Sequence, residues 1–304
     1  MNKKRLPMAL LLGIFLGLFS LGLTLYPLIS NYVSEKNKSN ILTEYTDTVD
    51  ELEDDNIQDL LAAAQTYNHT LMPGALSTES AFSRAGQALA AENYYTLLNI
   101  GADGIMGYIE IPKIAIYLPI YHGTESDVLD RGVGHLIGSS LPIGGESTHT
   151  ILTGHSGMAK EKMFSDLDQL QTGDVFYLHV LDQTLAYEVD QTKIVLPENT
   201  DYLGIEKDED YCTLVTCTPF GVNTHRLLVR GHRVEYTEST EERMQETDNS
   251  AEPVTSTWLQ QYIKGLMIAI AIMLAGIILS RITIFRRRGK HEARPAQRRQ
   301  KRHR

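Results

Sequence analysis

A cysteine and an arginine lie in a segment whose pattern predicts two strands joined by a turn. Cys217 ends the alternating run Thr213-Leu-Val-Thr216, and Arg226 begins the apolar run Leu227-Leu-Val229. Pro219 and the Gly-Val-Asn sequence after it predict the turn. The returning strand would place Cys217 opposite Arg226 at one end of a hairpin. Because a nearby cation favours the thiolate, this pairing indicates a reactive thiol.

His155 is the leading candidate for the proton carrier that a thiol nucleophile requires. It ends a predicted strand between Gly154 and Gly157, where glycines allow a bend that exposes the ring. His225 is the competitor, but its neighbour Arg226 disfavours an imidazolium. Three other histidines are predicted to have structural roles: His122, His135 and His179.

The remaining cysteine and arginines are predicted to lie outside the chemistry. Cys212 and Cys217 are five residues apart on one predicted strand, so they face opposite sides, about 16 Å apart at ~3.3 Å per residue. A disulfide between them is therefore excluded, and two cysteines make a structural zinc site improbable. Arg226 is suited to stabilise an oxyanion, whereas Arg230 and Arg233 lie farther along the strand and are expected to be solvated or structural.

Two apolar segments near the ends of the chain predict membrane spans. Pro7–Ile29 carries no charge and follows Lys3, Lys4 and Arg5, which predicts an anchor with a cytoplasmic N-terminus. A cleaved signal peptide is the alternative, but no Ala-x-Ala site follows the segment. The second segment, Gly265–Phe285, precedes a basic tail that favours a cytoplasmic C-terminus. The region between the spans is then extracellular.

The charge of the chain divides between these regions. Between Tyr32 and Tyr262 there are 13 Lys or Arg and 37 Asp or Glu, so the net charge there is 13 − 37 = −24. Such an acidic outer region argues against nucleic acid as a partner. The basic tail is best explained as a signal for membrane topology.

The outer region changes character along its length. Apolar residues at helical spacing over 41–71 predict one or two stalk helices, and residues 80–98 form a second helical patch. Short β-runs fill 104–236 and predict one closed β-barrel of seven or eight strands. The predicted strands cover 105–111, 114–121, 148–152, 175–181, 185–196, 211–217 and 226–235. Short helices are expected over 127–131, 160–170 and 200–206, and an acidic linker over 237–257.

Taken together, these motifs resemble the sortase signature. Thr213-Leu-Val-Thr-Cys217 with Arg226 nine positions on, and Thr153-Gly-His155 upstream, are the specific elements. The run from Gly107 to Gly123 resembles the first strands of the sortase barrel. The loop 218–226 and a C-terminal span resemble class C, the pilus-assembling sortases of Gram-positive bacteria.

The resemblance implies a membrane-anchored cysteine transpeptidase that needs no organic cofactor and no metal. Cys217 would attack the Thr–Gly bond of an LPXTG-type sorting signal, His155 would move protons, and Arg226 would hold substrate and stabilise the oxyanion. Thr216 and Thr218 would contact the substrate. The acyl acceptor would be a pilin lysine, so the partners are pilins or surface proteins with sorting signals.

One departure from class C concerns its N-terminal lid, which usually carries an Asp-Pro-aromatic motif. This chain contains no Asp-Pro sequence. Residues 76–82, from Leu76 through Ser77 to Phe82, stand at the corresponding place, and Phe82 is the candidate aromatic plug. The alternative is a lid that is absent or weakly held.

The expected fold is mainly β: a closed sortase-type barrel with short helices, an N-terminal helical stalk and two transmembrane helices. The expected regions are 1–31 (N-terminus and first span), 32–103 (stalk and lid), 104–236 (barrel), 237–257 (linker), 258–285 (second span) and 286–304 (basic tail). A housekeeping sortase acting on a cell-wall amine is the near alternative. An extracellular thiol hydrolase and a non-catalytic adhesion module are the others.

Overall fold

The computed structural model describes residues 8–71, 93–156, 162–236, 263–268 and 270–271. The chain divides into two compact units, Met1–Ser256 and Thr257–Arg304. In the second unit, the described residues are helical. The predicted linker 237–257 and the basic tail 286–304 lie outside the described residues.

Eight strands of the first unit close into a barrel, which confirms the mainly β fold. They are β1 (Ile105–Ile111), β2 (Ile116–His122), β3 (Val133–His135), β4 (Thr148–Thr153), β5 (Val175–Val180), β6 (Gln183–Val195), β7 (Asp210–Thr218) and β8 (His225–Val234). Their order around the barrel is β1-β2-β3-β4-β7-β8-β6-β5. Two neighbouring pairs, β2–β3 and β4–β7, are parallel, and the others are antiparallel.

The differences from the predicted elements are local. The three-residue strand β3 was not predicted, because a run of Val-Gly-His is too short for a pattern of alternation. The helix predicted over 200–206 is wrong: a turn closed by Leu203 N donating to Thr200 O is followed by Gly204. Of the helix predicted over 160–170, the described residues contain one 3-10 turn, Leu167–Gln169. The helix predicted over 127–131 is present as α3 (Ser126–Leu129).

Two N-terminal helices pack against the barrel. They are α1 (Met8–Asp50) and α2 (Asp54–Thr70). The buried Tyr45 hydroxyl of α1 donates to Met106 O at 3.1 Å and accepts from Leu181 N at 3.0 Å. In α2, the buried Asn68 exchanges two hydrogen bonds with the backbone of Leu141, at 2.7 and 3.3 Å. Because a buried polar group that loses its partner costs stability, these bonds hold each helix in one register on the barrel.

The predicted lid falls in a part of the chain that the structure does not describe. Ser77 and Phe82 both lie in the range 72–92, outside the described residues. The lid therefore stays a prediction. Immediately after this range, Tyr94 is fully buried, and its hydroxyl meets His135 Nδ1 at 2.9 Å.

In the described part of the chain, no helix has both the length and the apolar character that a membrane span needs. Helix α1 begins at Met8, inside the first predicted span, while most of the second predicted span, 265–285, is not described. The topology with two spans therefore stays a prediction.

A buried histidine is expected to make the barrel sensitive to acid. His149 lies between Gly204 O, 2.8 Å from Nδ1, and Thr213 Oγ1, 2.7 Å from Nε2, a pattern that a neutral ring satisfies. Burial lowers the pKa of His149 from its ordinary 6.5 to about 4. As the pH falls, His149 therefore binds a proton in the unfolded chain before it does so in the folded chain. The stability that the neutral His149 ring contributes is present above about pH 6.5 and is lost as the pH falls toward 4.

We expect the free energy of unfolding to fall between pH 7.5 and 4.5 by about 2–3 kcal/mol more in the native protein than in His149→Asn. Urea denaturation at both pH values measures this difference. His69→Asn, at an exposed position of α2, is the control and should keep the native dependence on pH. Equal losses in native protein and His149→Asn would contradict the prediction.

Candidate active site

Cys217 and Arg226 lie directly opposite each other on β7 and β8. Opposite residues of an antiparallel pair project from the same face, so the thiol and the guanidinium share a face, as the hairpin pattern predicts. Both side chains are partly exposed. Arg226 Nη1 donates to His225 O at 3.1 Å and to Asn223 O at 3.4 Å. Among the described residues, its Nε and Nη2 have no partner, which leaves these donors for a substrate oxygen.

The connection between the two strands is the predicted tight turn. The amides of Val222 and Asn223 both donate to Pro219 O, at 2.9 and 3.0 Å. Gly221 and Asn223 have positive φ angles of 73° and 63°, a conformation that these two residue types tolerate best. The Thr218–Pro219 peptide bond is cis. The turn therefore holds the ends of β7 and β8 in the register that pairs the thiol with the cation.

His155 follows the end of β4, the strand next to β7. Strand β4 runs parallel to β7, and their last pair is Thr153 with Val215. Two residues beyond that pair, Cys217 is the next residue on the same face of β7, and His155 follows the end of β4. The backbone of Gly154 extends the ladder, because its amide donates to Val215 O at 3.0 Å. The parallel pairing thus aligns the ends of β4 and β7, although His155 and Cys217 are sixty-two positions apart in the sequence.

An apolar cluster on the outer face of the barrel leads to these residues. Its buried members are Leu136, Ile151, Val195, Leu203, Val215 and Leu228. Because side chains of a strand alternate between its faces, Ile151, Val215 and Leu228 lie on the faces of β4, β7 and β8 that also carry His155, Cys217 and Arg226. The three polar residues therefore lie at one end of the apolar floor that Ile151, Val215 and Leu228 form.

His225, the competing histidine, lies on the other face of β8. It pairs with Thr218 and immediately precedes Arg226, so alternation turns it away from the thiol. Its Nδ1 lies 2.9 Å from Thr224 Oγ1. The structural roles predicted for His122 and His135 are confirmed, because both side chains are buried with both ring nitrogens in hydrogen-bond contact. His179 stacks on Tyr108 with the ring centroids 4.4 Å apart.

Cys212 and Cys217 differ in their surroundings. Both are free, and Cys212 is fully buried in the main core on the opposite face of β7. Burial raises the pKa of the Cys212 thiol well above its ordinary value, so this thiol stays protonated and unreactive. Within the described ranges, no group of three or more His, Cys, Asp or Glu is arranged to hold a metal ion.

Arg230 and Arg233 have structural surroundings, as predicted. Arg230 donates to both carboxylate oxygens of Asp190, at 2.8 and 3.1 Å, and lies 4.0 Å from the ring centroid of Tyr211. It also reaches Glu206 at 3.3 Å, which ties the β6–β7 connection to the barrel. Arg233 lies over the ring of Tyr187 at 5.7 Å.

Thr216 and Thr218, which are predicted to contact substrate, flank Cys217 on β7. Strand alternation places both side chains on the face opposite the thiol. Thr216 is 3% exposed, and its hydroxyl donates to Gly154 O at 2.8 Å. The predicted contact of these two residues with substrate stays a prediction, and on this face it would have to be made by their backbone rather than by their side chains.

The sequence pattern missed one polar residue at the site, Ser156, and one at the far end of β4, His149. The Ser156 hydroxyl donates to Cys217 O at 2.8 Å, and His149 links β4, β7 and the β6–β7 connection. For Ser156, its position directly after His155 was the available signal. Nothing in the local sequence distinguishes His149, because its partners come from distant segments.

Gly154 is expected to be essential for the position of His155. A Cβ at this residue would lie 2.6 Å from the Phe164 ring, which is fully buried and unable to move aside cheaply. We therefore expect Gly154→Ala to shift the His155 backbone and to slow acyl transfer by about 100-fold, as a misplacement near 1 Å would. Single-turnover kinetics with a sorting-signal peptide measures the loss.

A matched control separates this effect from a general loss of fold. Gly104 has no atom within 4 Å of the equivalent Cβ, although its φ is +87°, so Gly104→Ala tests backbone strain without displacing His155. The prediction for Gly154→Ala is contradicted if its rate per folded molecule equals that of Gly104→Ala.

A closed eight-stranded barrel with a cysteine, a histidine and an arginine on one outer face matches a known family. The family model described as the sortase domain matches residues 109–234. Among solved structures, sortase C1 from Streptococcus agalactiae is 43% identical with a TM-score of 0.58, and the alignment covers 65% of this chain and 100% of that one. Sortase C from Clostridium perfringens, solved with a C-terminal cell wall sorting motif, is 45% identical with a TM-score of 0.56 over 65% and 100% of the two chains.

This chain belongs to the sortase family. Among curated proteins, it is 34% identical to sortase D of Bacillus subtilis over 42% of this chain and 63% of that protein. It is 28% identical to sortase A of Streptococcus agalactiae over 38% of this chain and 47% of that protein. The chain thus spans between about half and just under two thirds of these curated relatives' length. Its structural neighbours include several class C sortases, which agrees with the resemblance drawn from the loop 218–226.

Proposed function

We propose that this protein is a pilus-assembling cysteine transpeptidase of the bacterial cell surface. The observation that carries the proposal is that Cys217 lies opposite Arg226 on β7 and β8, beside the end of β4, which His155 follows in the sequence. Identity of 43–45% to class C structures, against 28% to the sortase A of Streptococcus agalactiae, supports the pilus class.

In the first half-reaction, the Cys217 thiolate attacks the carbonyl carbon of the threonine in an LPXTG-type signal. The carbonyl oxygen becomes an oxyanion, which the free guanidinium donors of Arg226 stabilise. The C–N bond to glycine then breaks, and the protonated His155 gives its proton to the leaving amine. The product is a thioester between Cys217 and the threonine of the signal.

In the second half-reaction, a lysine ε-amine of another pilin attacks the thioester carbon. His155, now neutral, accepts a proton from the attacking amine, and Arg226 again stabilises the oxyanion. The C–S bond breaks and the thiolate is restored. The two pilins are joined by an isopeptide bond, and no redox agent or nucleotide is consumed.

The apolar floor supplies a place for the apolar part of the signal. The cluster with Val215 and Leu228 at its centre ends beside Cys217, so an extended peptide along it would present its threonine carbonyl to the thiol. The membrane anchor, with the barrel outside the cell, completes the proposal and follows from the two apolar segments of the sequence.

The test is to incubate the protein with a sorting-signal peptide and either purified pilin or a cell-wall peptide amine. Covalent pilin ladders support pilus assembly. Product with the wall amine alone would instead support the housekeeping function. Release of hydrolysed peptide at the same rate with and without millimolar amine would contradict transpeptidation and support a thiol hydrolase. If no product forms with any acceptor, the result would support the non-catalytic adhesion module.

A further inference from the structure

Two side-chain hydrogen bonds continue the contact between β4 and β7 past the point where backbone pairing ends. The last backbone bond joins Gly154 N to Val215 O at 3.0 Å. Beyond it, Thr216 Oγ1 donates to Gly154 O at 2.8 Å, and Ser156 Oγ donates to Cys217 O at 2.8 Å. One bond runs from each strand to the other. The residues that they tie down lie immediately before and after His155.

The backbone of His155 turns away from β7 at this point. Its carbonyl accepts from Phe164 N at 2.9 Å, a bond to a segment outside the β4–β7 pair. The His155 carbonyl is thus engaged by Phe164 and does not extend the backbone ladder with β7. Among the described residues, the hydroxyls of Thr216 and Ser156 therefore make the only side-chain hydrogen bonds between the segment 154–156 and residues 215–218.

We propose that Ser156 and Thr216 are positioning residues that set the distance between the imidazole of His155 and the thiol of Cys217. The inference rests on the proposed function and assigns Thr216 a role other than the predicted contact with substrate. It also adds Ser156, which no family motif quoted above contains.

The surroundings of Thr216 support this role. Its side chain is 3% exposed and pairs across the sheet with the buried Leu227, so its hydroxyl has no route to the outer face. Gly154 O would lose a partner in a buried setting if this hydroxyl were removed, and the strand end would relax. Ser156 is partly exposed, so the loss of its bond is expected to have the smaller effect.

The variants that test the inference are Thr216→Val, Thr216→Ser and Ser156→Ala. Thr216→Val keeps the shape of the side chain and removes the hydroxyl, while Thr216→Ser keeps the hydroxyl. Thr150→Val is the matched control, because Thr150 is a buried threonine of β4 whose hydroxyl donates to Leu141 O at 3.3 Å, away from His155. Thermal unfolding of each variant gives the folded fraction to which the rates are normalised.

The first measurement is single-turnover acylation by a sorting-signal peptide. We expect Thr216→Val to slow acylation by about 10- to 100-fold with little change in KM, since a misplaced base affects the chemical step. Ser156→Ala should show a smaller loss, and Thr216→Ser should recover most of the native rate. A rise in KM with unchanged kcat in Thr216→Val would overturn the inference, because it would indicate contact with substrate.

The second measurement needs no substrate and so does not depend on transpeptidase activity. The pH profile of Cys217 alkylation by iodoacetamide reports how well a nearby imidazolium stabilises the thiolate. We expect the midpoint of this profile to rise in Thr216→Val and Ser156→Ala and to stay native in Thr150→Val and Thr216→Ser. Native profiles and native acylation rates in both hydroxyl-deleted variants would overturn the inference. If the midpoint rises in Thr216→Val and Ser156→Ala as expected but the native protein transfers no acyl group, the proposed function fails while the positioning role stands.

Discussion

Cys217→Ala is expected to form no acyl-enzyme and no pilin polymer. The proposed reaction passes through a thioester on this sulfur, and alanine offers no nucleophile in its place. Incubation with a sorting-signal peptide and mass spectrometry of the intact protein measure the acylation directly. The fold should be retained, because Cys217 is partly exposed at a strand end and lies outside the buried clusters.

Cys212→Ala is the matched control for this experiment. The residue lies on the same strand, but it is fully buried and its thiol is kept protonated. We expect this variant to lose some stability from the cavity it creates while forming acyl-enzyme at the native rate per folded molecule. Acylation that persists in Cys217→Ala or disappears in Cys212→Ala would refute the assignment of the nucleophile.

Arg226→Ala is expected to show the second largest loss of activity. Its Nε and Nη2, unpartnered among the described residues, face the same side as the thiol, where the oxyanion forms. Removing such a donor costs about 2–4 kcal/mol of transition-state stabilisation, which corresponds to a loss of about 30- to 1,000-fold in kcat/KM. Steady-state kinetics with a fluorogenic sorting-signal peptide measures this change.

The control for Arg226→Ala is Arg131→Ala. Arg131 is exposed, lies 4.5 Å from the ring centroid of Tyr121, and belongs to the helix end before β3. We expect its kcat/KM to remain native. Arg226→Lys keeps the charge but lacks the planar fork of donors, so it should recover only part of the activity. Native kcat/KM in Arg226→Ala would exclude Arg226 from oxyanion stabilisation.

Arg230 shows why an arginine on the same strand has a different consequence. Its guanidinium is engaged with Asp190 and Glu206 and stacked on Tyr211. Replacing it would leave two carboxylates without a partner and would loosen the connection between β6 and β7. Its substitution would therefore destabilise the barrel and, at the same time, displace the connection between β6 and β7.

Much of the barrel could be predicted from local pattern. Strands such as β1 and β7 were predicted within a residue or two of their observed bounds, because short runs of β-branched and apolar residues bounded by turn residues indicate strands. Strand β3 was not predicted, since three residues are too few to show a period. The segment 200–206 was wrongly predicted as a helix, because Leu203 is buried through its contact with the outer cluster and not on the face of a helix. The docking of α1 and α2 on the barrel also depends on contacts that local pattern does not specify.

Sequence alone determined the chemical identity of the site. The hairpin register of Cys217 with Arg226 follows from the strand and turn residues between them, and the spacing of five residues determined that Cys212 would face the core. These are local properties, so eight or nine residues of chain are enough to establish them. The choice of His155 as the proton carrier rests on its flanking glycines and stays a prediction.

The tertiary structure alone decided which strand lies beside the cysteine strand. The parallel pairing of β4 with β7 aligns two segments sixty-two residues apart, and no local pattern encodes which strands become neighbours in a closed barrel. The same pairing turns Thr216 toward Gly154 and brings Ser156 to Cys217 O. Hydrogen bonds between distant segments require the assembled barrel, because loop closure is favourable only when the buried core compensates its entropy.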